Sequence, residues 1–286
     1  MTISRRAALI SALCAAAVRP ALSASAIEAG LKVMERSSGG RLGVYVFDTG
    51  SKRALLELNE NERFAMCSTF KLLLAGSILK KVDEGALQLK QSVSFTRQDL
   101  LAYAPVTSAN VDAGSMTLRD LCAAMVEVSD NTAANLLLPL VEGPQGLTRW
   151  LRSIGDEVTR LDRNEPELNS NLPDDPRDTT TPRAMSETTA RLLTSDLLHE
   201  SSRQLLSEWL VNASTGRRRL RAGLPQAWRA GDKTGTGARG SVNDVAVAWP
   251  SDRAPIIVAV YLSDSEHPTP ALEAIHARVG ALLADV

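Results

Sequence analysis

Ser68 and Lys71 stand three residues apart in "CSTFKLLLAGSILKK", residues 67–81. On a helix of about 3.6 residues per turn that spacing sets a hydroxyl and an amine on one face, within reach of each other. A serine is a weak nucleophile until a base takes its proton, and a lysine serves when burial or nearby positive charge lowers its pKa. The run carries a second such pair, Ser77 and Lys80. Position separates the two. Ser68 lies where the apolar pattern begins, in the first turn of a helix expected to end at "KKVDEG", and unpaired N–H groups there stabilise an anion. Ser77 lies in the helix interior, which offers no free donor. Alone, Ser68 and Lys71 also fit an ordinary amphipathic helix with a snorkelling lysine.

Two further clusters change that balance. Ser129, Asp130 and Asn131 close an apolar helical run, where a helix-end cap is the plain alternative. Lys233, Thr234 and Gly235 stand just ahead of an expected strand. Ser-x-x-Lys, Ser-Asp-Asn and Lys-Thr-Gly, in this order, are together the signature of class A β-lactamases and penicillin-binding proteins, and the chain resembles that group. A β-lactam carries a strained amide and a carboxylate. Its site needs a nucleophile, a proton donor for the departing nitrogen, an oxyanion hole and a cation. Ser68 suits the first role and Ser129, whose hydroxyl both donates and accepts, the second. The backbone N–H groups of Ser68 and Thr236 suit the third, and Lys233 with Thr234 the fourth.

The stretch "RLDRNEPELNSNLPDDPRDTTTP" is similar to the Ω-loop of class A β-lactamases through Arg163, Glu165, Pro166, Glu167, Leu168 and Asn169, and through Asp178 to Pro182 at its far end. The resemblance implies that Glu165 activates the water that hydrolyses the acyl-enzyme and that Asn169 holds this water. It also implies an Arg163–Asp178 pair across the loop base and a cis Glu165–Pro166 bond. Either Lys71 or Glu165 takes the proton during acylation. Tyr103 resembles the aromatic wall of the family's cleft. The family's additional arginine is missing at Val242 and near Leu272, which leaves Arg219 as the candidate; a solvated three-arginine turn is the alternative. Cys67 and Cys122 each lack the partner that relatives provide, since Gly237 and Ala75 occupy those places, so two free, buried thiols are expected.

These groups need a scaffold. Composition, 44% hydrophobic and 23% charged, is that of a globular protein able to bury a full core. A net charge of −1 with both signs dispersed leaves no footprint for nucleic acid or an anionic membrane. The three histidines lack ligand spacing, so neither a metal nor another cofactor is expected. The N-terminus, basic and then apolar from Ala7 to Val18 with Ala24 and Ala26 beyond, reads as an export signal over 1–26, and Arg5-Arg6 resembles the twin-arginine class. A periplasmic or secreted monomer without a stable membrane anchor follows.

A helix "AIEAGLKVMERSSGG", two β-rich runs around Asp48-Thr49-Gly50, a helical stretch from Ser68 to about Pro225, strands "DVAVAWP" and "APIIVAVYL", and a last helix complete the pattern. The expected fold is α/β (α+β): an antiparallel sheet flanked by N- and C-terminal helices, with a large inserted all-α lobe. Residues 27–66 and 212–286 make one lobe and 67–211 the other, with the Ω-loop at 163–178. The activity so implied is hydrolysis of penicillin- or cephalosporin-type β-lactams through a serine acyl-enzyme. A D-alanyl-D-alanine peptidase, which has no need of Glu165, and a non-hydrolytic β-lactam sensor are the alternatives.

Overall fold

The computed structural model describes residues 24–285. The expected leader with Arg5, Arg6 and Cys14 lies almost wholly outside these. In chain order the elements begin with α1 (Ala24–Ser38), β1 (Arg41–Asp48), β2 (Arg53–Leu58) and β3 (Phe64–Ala65). A 3₁₀ turn, Cys67–Thr69, then leads into α2 (Phe70–Asp83). Next come β4 (Ser92–Ser94), α3 (Pro105–Asn110), β5 (Ser115–Thr117), α4 (Leu118–Glu127), α5 (Asn131–Leu137) and α6 (Gly143–Ser153). The chain continues through β6 (Thr179–Thr180), α7 (Pro182–Thr194), α8 (Glu200–Asn212) and α9 (Leu220–Gly223). It ends with β7 (Arg229–Thr236), β8 (Val242–Trp249), β9 (Ile256–Ser263) and α10 (Thr269–Leu282).

Five strands form one antiparallel sheet in the order β2-β1-β9-β8-β7, so strands from both ends of the chain pair directly, β1 with β9. Side chains alternate between its faces. Val245, Val247, Ile257, Ala259 and Tyr261 join one core with α2 and the other helices of the insert. Ala246, Ala248, Ile256, Val258 and Val260 join a second core with α1 and α10. Every residue of β9 is buried, which is why its sequence reads as an unbroken apolar run. Helix α2 is buried continuously from Phe70 to Leu79. It is apolar on all sides because the other helices of the insert surround it.

Three local features differ from the sequence pattern. Ser68 stands in the 3₁₀ turn just before α2 rather than in the first α-helical turn. Lys233, Thr234 and Gly235 do not precede a strand but lie within β7, whose residues 229–236 lack branched apolar side chains and so carry no strand signature. The helical stretch is also trimmed by two short ribbons, β4 with β5 and β6 with β3.

Cys67 and Cys122 are both buried and unbonded. Burial, reinforced by the nearby Glu165 charge, pushes the Cys67 thiol up to about 12, and burial also raises Cys122. A thiol reagent at neutral pH should therefore modify neither in the folded protein and both after guanidinium denaturation. One fast-reacting thiol in the native protein would contradict this packing.

Candidate active site

The neighbourhood of Ser68 is set by a close approach of backbone. β7 is one of the two edge strands of the sheet, and the face that carries Gly235 packs against the 66–68 segment. A Cβ at Gly235 would lie 2.6 Å from the Met66 carbonyl oxygen and 3.2 Å from the Ser68 nitrogen, and one at Gly237 would lie 2.6 Å from Cys67 Sγ. Only residues without a side chain fit there. From the other side, Met66 N–H donates to the Asp178 carbonyl oxygen at 2.9 Å, tying the turn to the end of the 163–178 loop. Cys67 takes φ +46°, and Ser129, across the cleft, φ +62°. Both are uncommon for residues bearing a Cβ and persist only where the surroundings dictate them.

Lys71 is fully buried beneath Ser68. Its ammonium lies 3.0 Å from Ser68 Oγ, 2.9 Å from the Ser129 carbonyl oxygen, 3.3 Å from Ser129 Oγ, 2.5 Å from Asn131 Oδ1 and 2.9 Å from Glu165 Oε1. Three N–H donors are thus shared among five oxygens. Burial lowers the pKa of Lys71, and the adjacent Glu165 carboxylate opposes that shift. Glu165, 2% exposed, also accepts a hydrogen bond from Ser68 Oγ at 3.2 Å. Asn169 Nδ2 donates to the other Glu165 oxygen at 2.5 Å, while Asn169 Oδ1 is buried without a protein partner.

The carboxylate of Glu165 is aimed by its loop. Arg163 Nε pairs with Asp178 Oδ2 at 2.6 Å, and Asp178 Oδ1 accepts from the Asp162 and Arg163 N–H groups. The Glu165–Pro166 bond is cis. Asn135 on α5 grips Glu165 from both sides: Nδ2 donates to the Glu165 carbonyl at 2.8 Å and Oδ1 accepts its N–H at 3.0 Å. Sequence reasoning missed Asn135. The available signal was its place four residues after Asn131, on the same helical face.

Lys233, also fully buried, donates to Ser129 Oγ at 3.1 Å and to the Thr234 carbonyl at 2.9 Å. Burial holds its pKa well below the ordinary lysine value, and the Lys71 charge adds to the effect. Ser129 Oγ therefore bridges two amines. Asp130 does cap a helix, accepting from Ala133 N–H at the start of α5, and it also accepts from the Val106 and Thr107 N–H groups, fixing the segment after Tyr103. Asn131 N–H donates to the Tyr103 carbonyl at 3.0 Å, and the Tyr103 ring is half-exposed at the cleft mouth.

Arg219 is 4% exposed, which removes the solvated-turn alternative; its neighbours Arg217 and Arg218 are the exposed ones. Its guanidinium donates to the carbonyls of Gly235 at 2.9 Å and Asn243 at 2.7 Å and to Thr236 Oγ1 at 2.8 Å. Thr215, which the sequence did not single out, lies 2.7 Å from Thr234 Oγ1. A cleft of about 370 Å³ opens over these groups, lined by Ser68, Tyr103, Ser129, Asn131, Asn169, Thr215, Arg219, Thr234, Gly235 and Thr236. Lys71, Glu165 and Lys233 form its buried floor. All the candidate residues converge on this one cleft.

The model of the beta-lactamase enzyme family matches residues 25–286. The chain is 44% identical over 243 residues to beta-lactamase Toho-1 of Escherichia coli, covering 85% of this chain and 83% of that protein. It is 48% identical over 233 residues to beta-lactamase AST-1 of Nocardia asteroides, covering 82% and 74%. A solved ancestral (GNCA) class A beta-lactamase superimposes with a TM-score of 0.88 at 53% identity, over 90% of this chain and 98% of that one.

Removing the Asn135 side chain, as in Asn135→Ala, leaves the Glu165 N–H and C=O unpaired. It should cost about 1–3 kcal/mol of stability and lower kcat more than it changes KM. Thermal melting with steady-state kinetics checks this, and an unchanged melting temperature and kcat would remove Asn135 from its positioning role.

Proposed function

This chain belongs to the beta-lactamase enzyme family and is a class A enzyme that hydrolyses β-lactam antibiotics, and on that premise we propose how its own residues do so. The observation that carries the assignment is Glu165 Oε1, 3.2 Å from Ser68 Oγ and 2.9 Å from Lys71 Nζ in a buried floor.

Ser68 Oγ attacks the lactam carbonyl carbon, and its proton passes to the Lys71–Glu165 pair. Both bases lie within hydrogen-bond reach of that hydroxyl. The backbone N–H groups of Ser68 and Thr236 stabilise the resulting oxyanion. Ser129, held between Lys71 and Lys233, delivers a proton to the ring nitrogen as the C–N bond breaks. Lys233, Thr234, Thr236 and Arg219 hold the substrate carboxylate, while Tyr103 and Asn131 border the rest of the molecule. In the second half a water, deprotonated by Glu165 and oriented by Asn169 Oδ1, attacks the ester carbon; Ser68 regains its proton and the acid is released. A peptidase has no use for Glu165 in this place, which favours rapid deacylation over a long-lived adduct.

By the same reading the cleft lies between a lobe of residues 27–66 and 212–286 and a lobe of residues 67–211, and the protein acts as a monomer. An N-terminal signal of the twin-arginine type would deliver it to the periplasm or medium, where its substrates are met. Among the described residues no helix is long and apolar enough to cross a membrane.

Ser68→Ala should abolish acylation. Glu165→Ala should lower turnover by about 10²–10⁴-fold and let a penicilloyl adduct build up, seen as a mass increase on the intact protein. Unchanged steady-state hydrolysis would take Glu165 out of the mechanism. Arg219→Ala should raise KM roughly tenfold or more for substrates bearing the ring carboxylate with a smaller effect on kcat. Equal kinetic constants for variant and parent would rule out its carboxylate role.

A further inference from the structure

The second Ser-x-x-Lys pair, Ser77 and Lys80, takes no part in this chemistry, yet both residues line a groove of about 480 Å³ along the C-terminal half of α2. Val141 and Glu142 ahead of α6, residues of α6 with the following Ile154, and Leu197 after α7 complete the groove, and it shares no lining residue with the cleft over Ser68. Its size is that of a small-molecule site. Ser77 is 1% exposed, and its hydroxyl has no hydrogen-bond partner among the described residues. Buried hydroxyls almost always have a partner, so this one is left for a water or a bound molecule to satisfy.

The charges around it are unequal. Lys80 pairs with Glu84 at 3.3 Å and Arg149 with Glu142 at 2.5 Å. Lys81, only partly exposed, lines the same groove and has no carboxylate within ion-pair distance among the described residues. Trp150 and Leu197, both partly buried, supply an apolar wall. A cation would be repelled by Lys81. A neutral apolar molecule would further desolvate an unpaired ammonium, and a polyanion would meet Glu84 and Glu142.

We propose that this groove is a binding site for a small amphiphilic anion. Its flat apolar body lies against Trp150 and Leu197, its single carboxylate or sulfonate pairs with Lys81, and a polar atom meets the Ser77 hydroxyl. The site is separate from catalysis although it is built on the helix that carries Lys71.

Fluorescence titration of the intact enzyme with 8-anilinonaphthalene-1-sulfonate tests this. Lys81→Glu should raise the Kd at least fivefold and Lys81→Gln severalfold. Both variants should retain full hydrolysis, which reports that they are folded. Uncharged N-phenyl-1-naphthylamine should bind at least fivefold more weakly than the sulfonate, and Arg219→Ala should leave the Kd unchanged. Equal Kd values for parent and Lys81→Glu, or equal affinity for the uncharged analogue, would overturn the proposal. Loss of binding in Arg219→Ala would place the probe in the catalytic cleft and overturn it as well.

Discussion

One buried ammonium constrains everything around it. Lys71 is removed from water completely, and a charge so placed is tolerated only when an opposite charge and several oxygens replace its hydration. Those oxygens come from separate parts of the chain: Ser68 just before α2, Ser129 in the α4–α5 connection, Asn131 at the start of α5, and Glu165 in the 163–178 loop. Displacing any of these segments leaves charge uncompensated in a dry interior. The requirement that makes Lys71 and Glu165 chemically useful is thus the one that locks the helical insert against the loop.

The same logic extends along the cleft. Lys233 is a second fully buried amine, close enough to Lys71 that the Lys71 charge disfavours its own, and Ser129 Oγ sits between them. Arg219, 3.4 Å from Glu273 and buried behind Thr236, lines the same cleft above the two lysines of its floor, so basic groups gather on one side of the cavity. Placing them so near Ser68 depends on β7 passing the 66–68 turn at a separation that Gly235 and Gly237 permit and a Cβ would not. The geometry of the cleft therefore rests on absent side chains as much as on polar ones.

Much of this was legible in the chain, and the parts that were not share a cause. Helix α2, strand β9 and the C-terminal helix follow from apolar runs whose length and composition match their burial. Strand β7 escaped because its function sets its composition: Gly231, Asp232, Lys233, Thr234 and Gly235 are there for close approach and charge, and they erase the branched apolar signal by which strands are read. Asn135 and Thr215 escaped because each acts through a partner distant in sequence, Glu165 and Thr234; the i+4 spacing from Asn131 places Asn135 on a helical face but does not reveal that partner.

The sequence by itself determined which groups are chemically available and their spacing within each short segment: a hydroxyl and an amine three residues apart, Ser-Asp-Asn, Lys-Thr-Gly, and a Glu-Pro-Glu-Leu-Asn loop between Arg163 and Asp178. Tertiary structure alone decided that Arg219 is a buried member of the cleft rather than part of a solvated turn, that Glu165 reaches Ser68 and Lys71 together, and that Ser129 bridges two amines. Local spacing is set by covalent geometry and helix rise, which the order of residues states directly. Burial, desolvation and convergence depend on segments far apart in sequence being pressed together, and these exist only once the sheet has closed β1 against β9 and carried β7 to the mouth of α2.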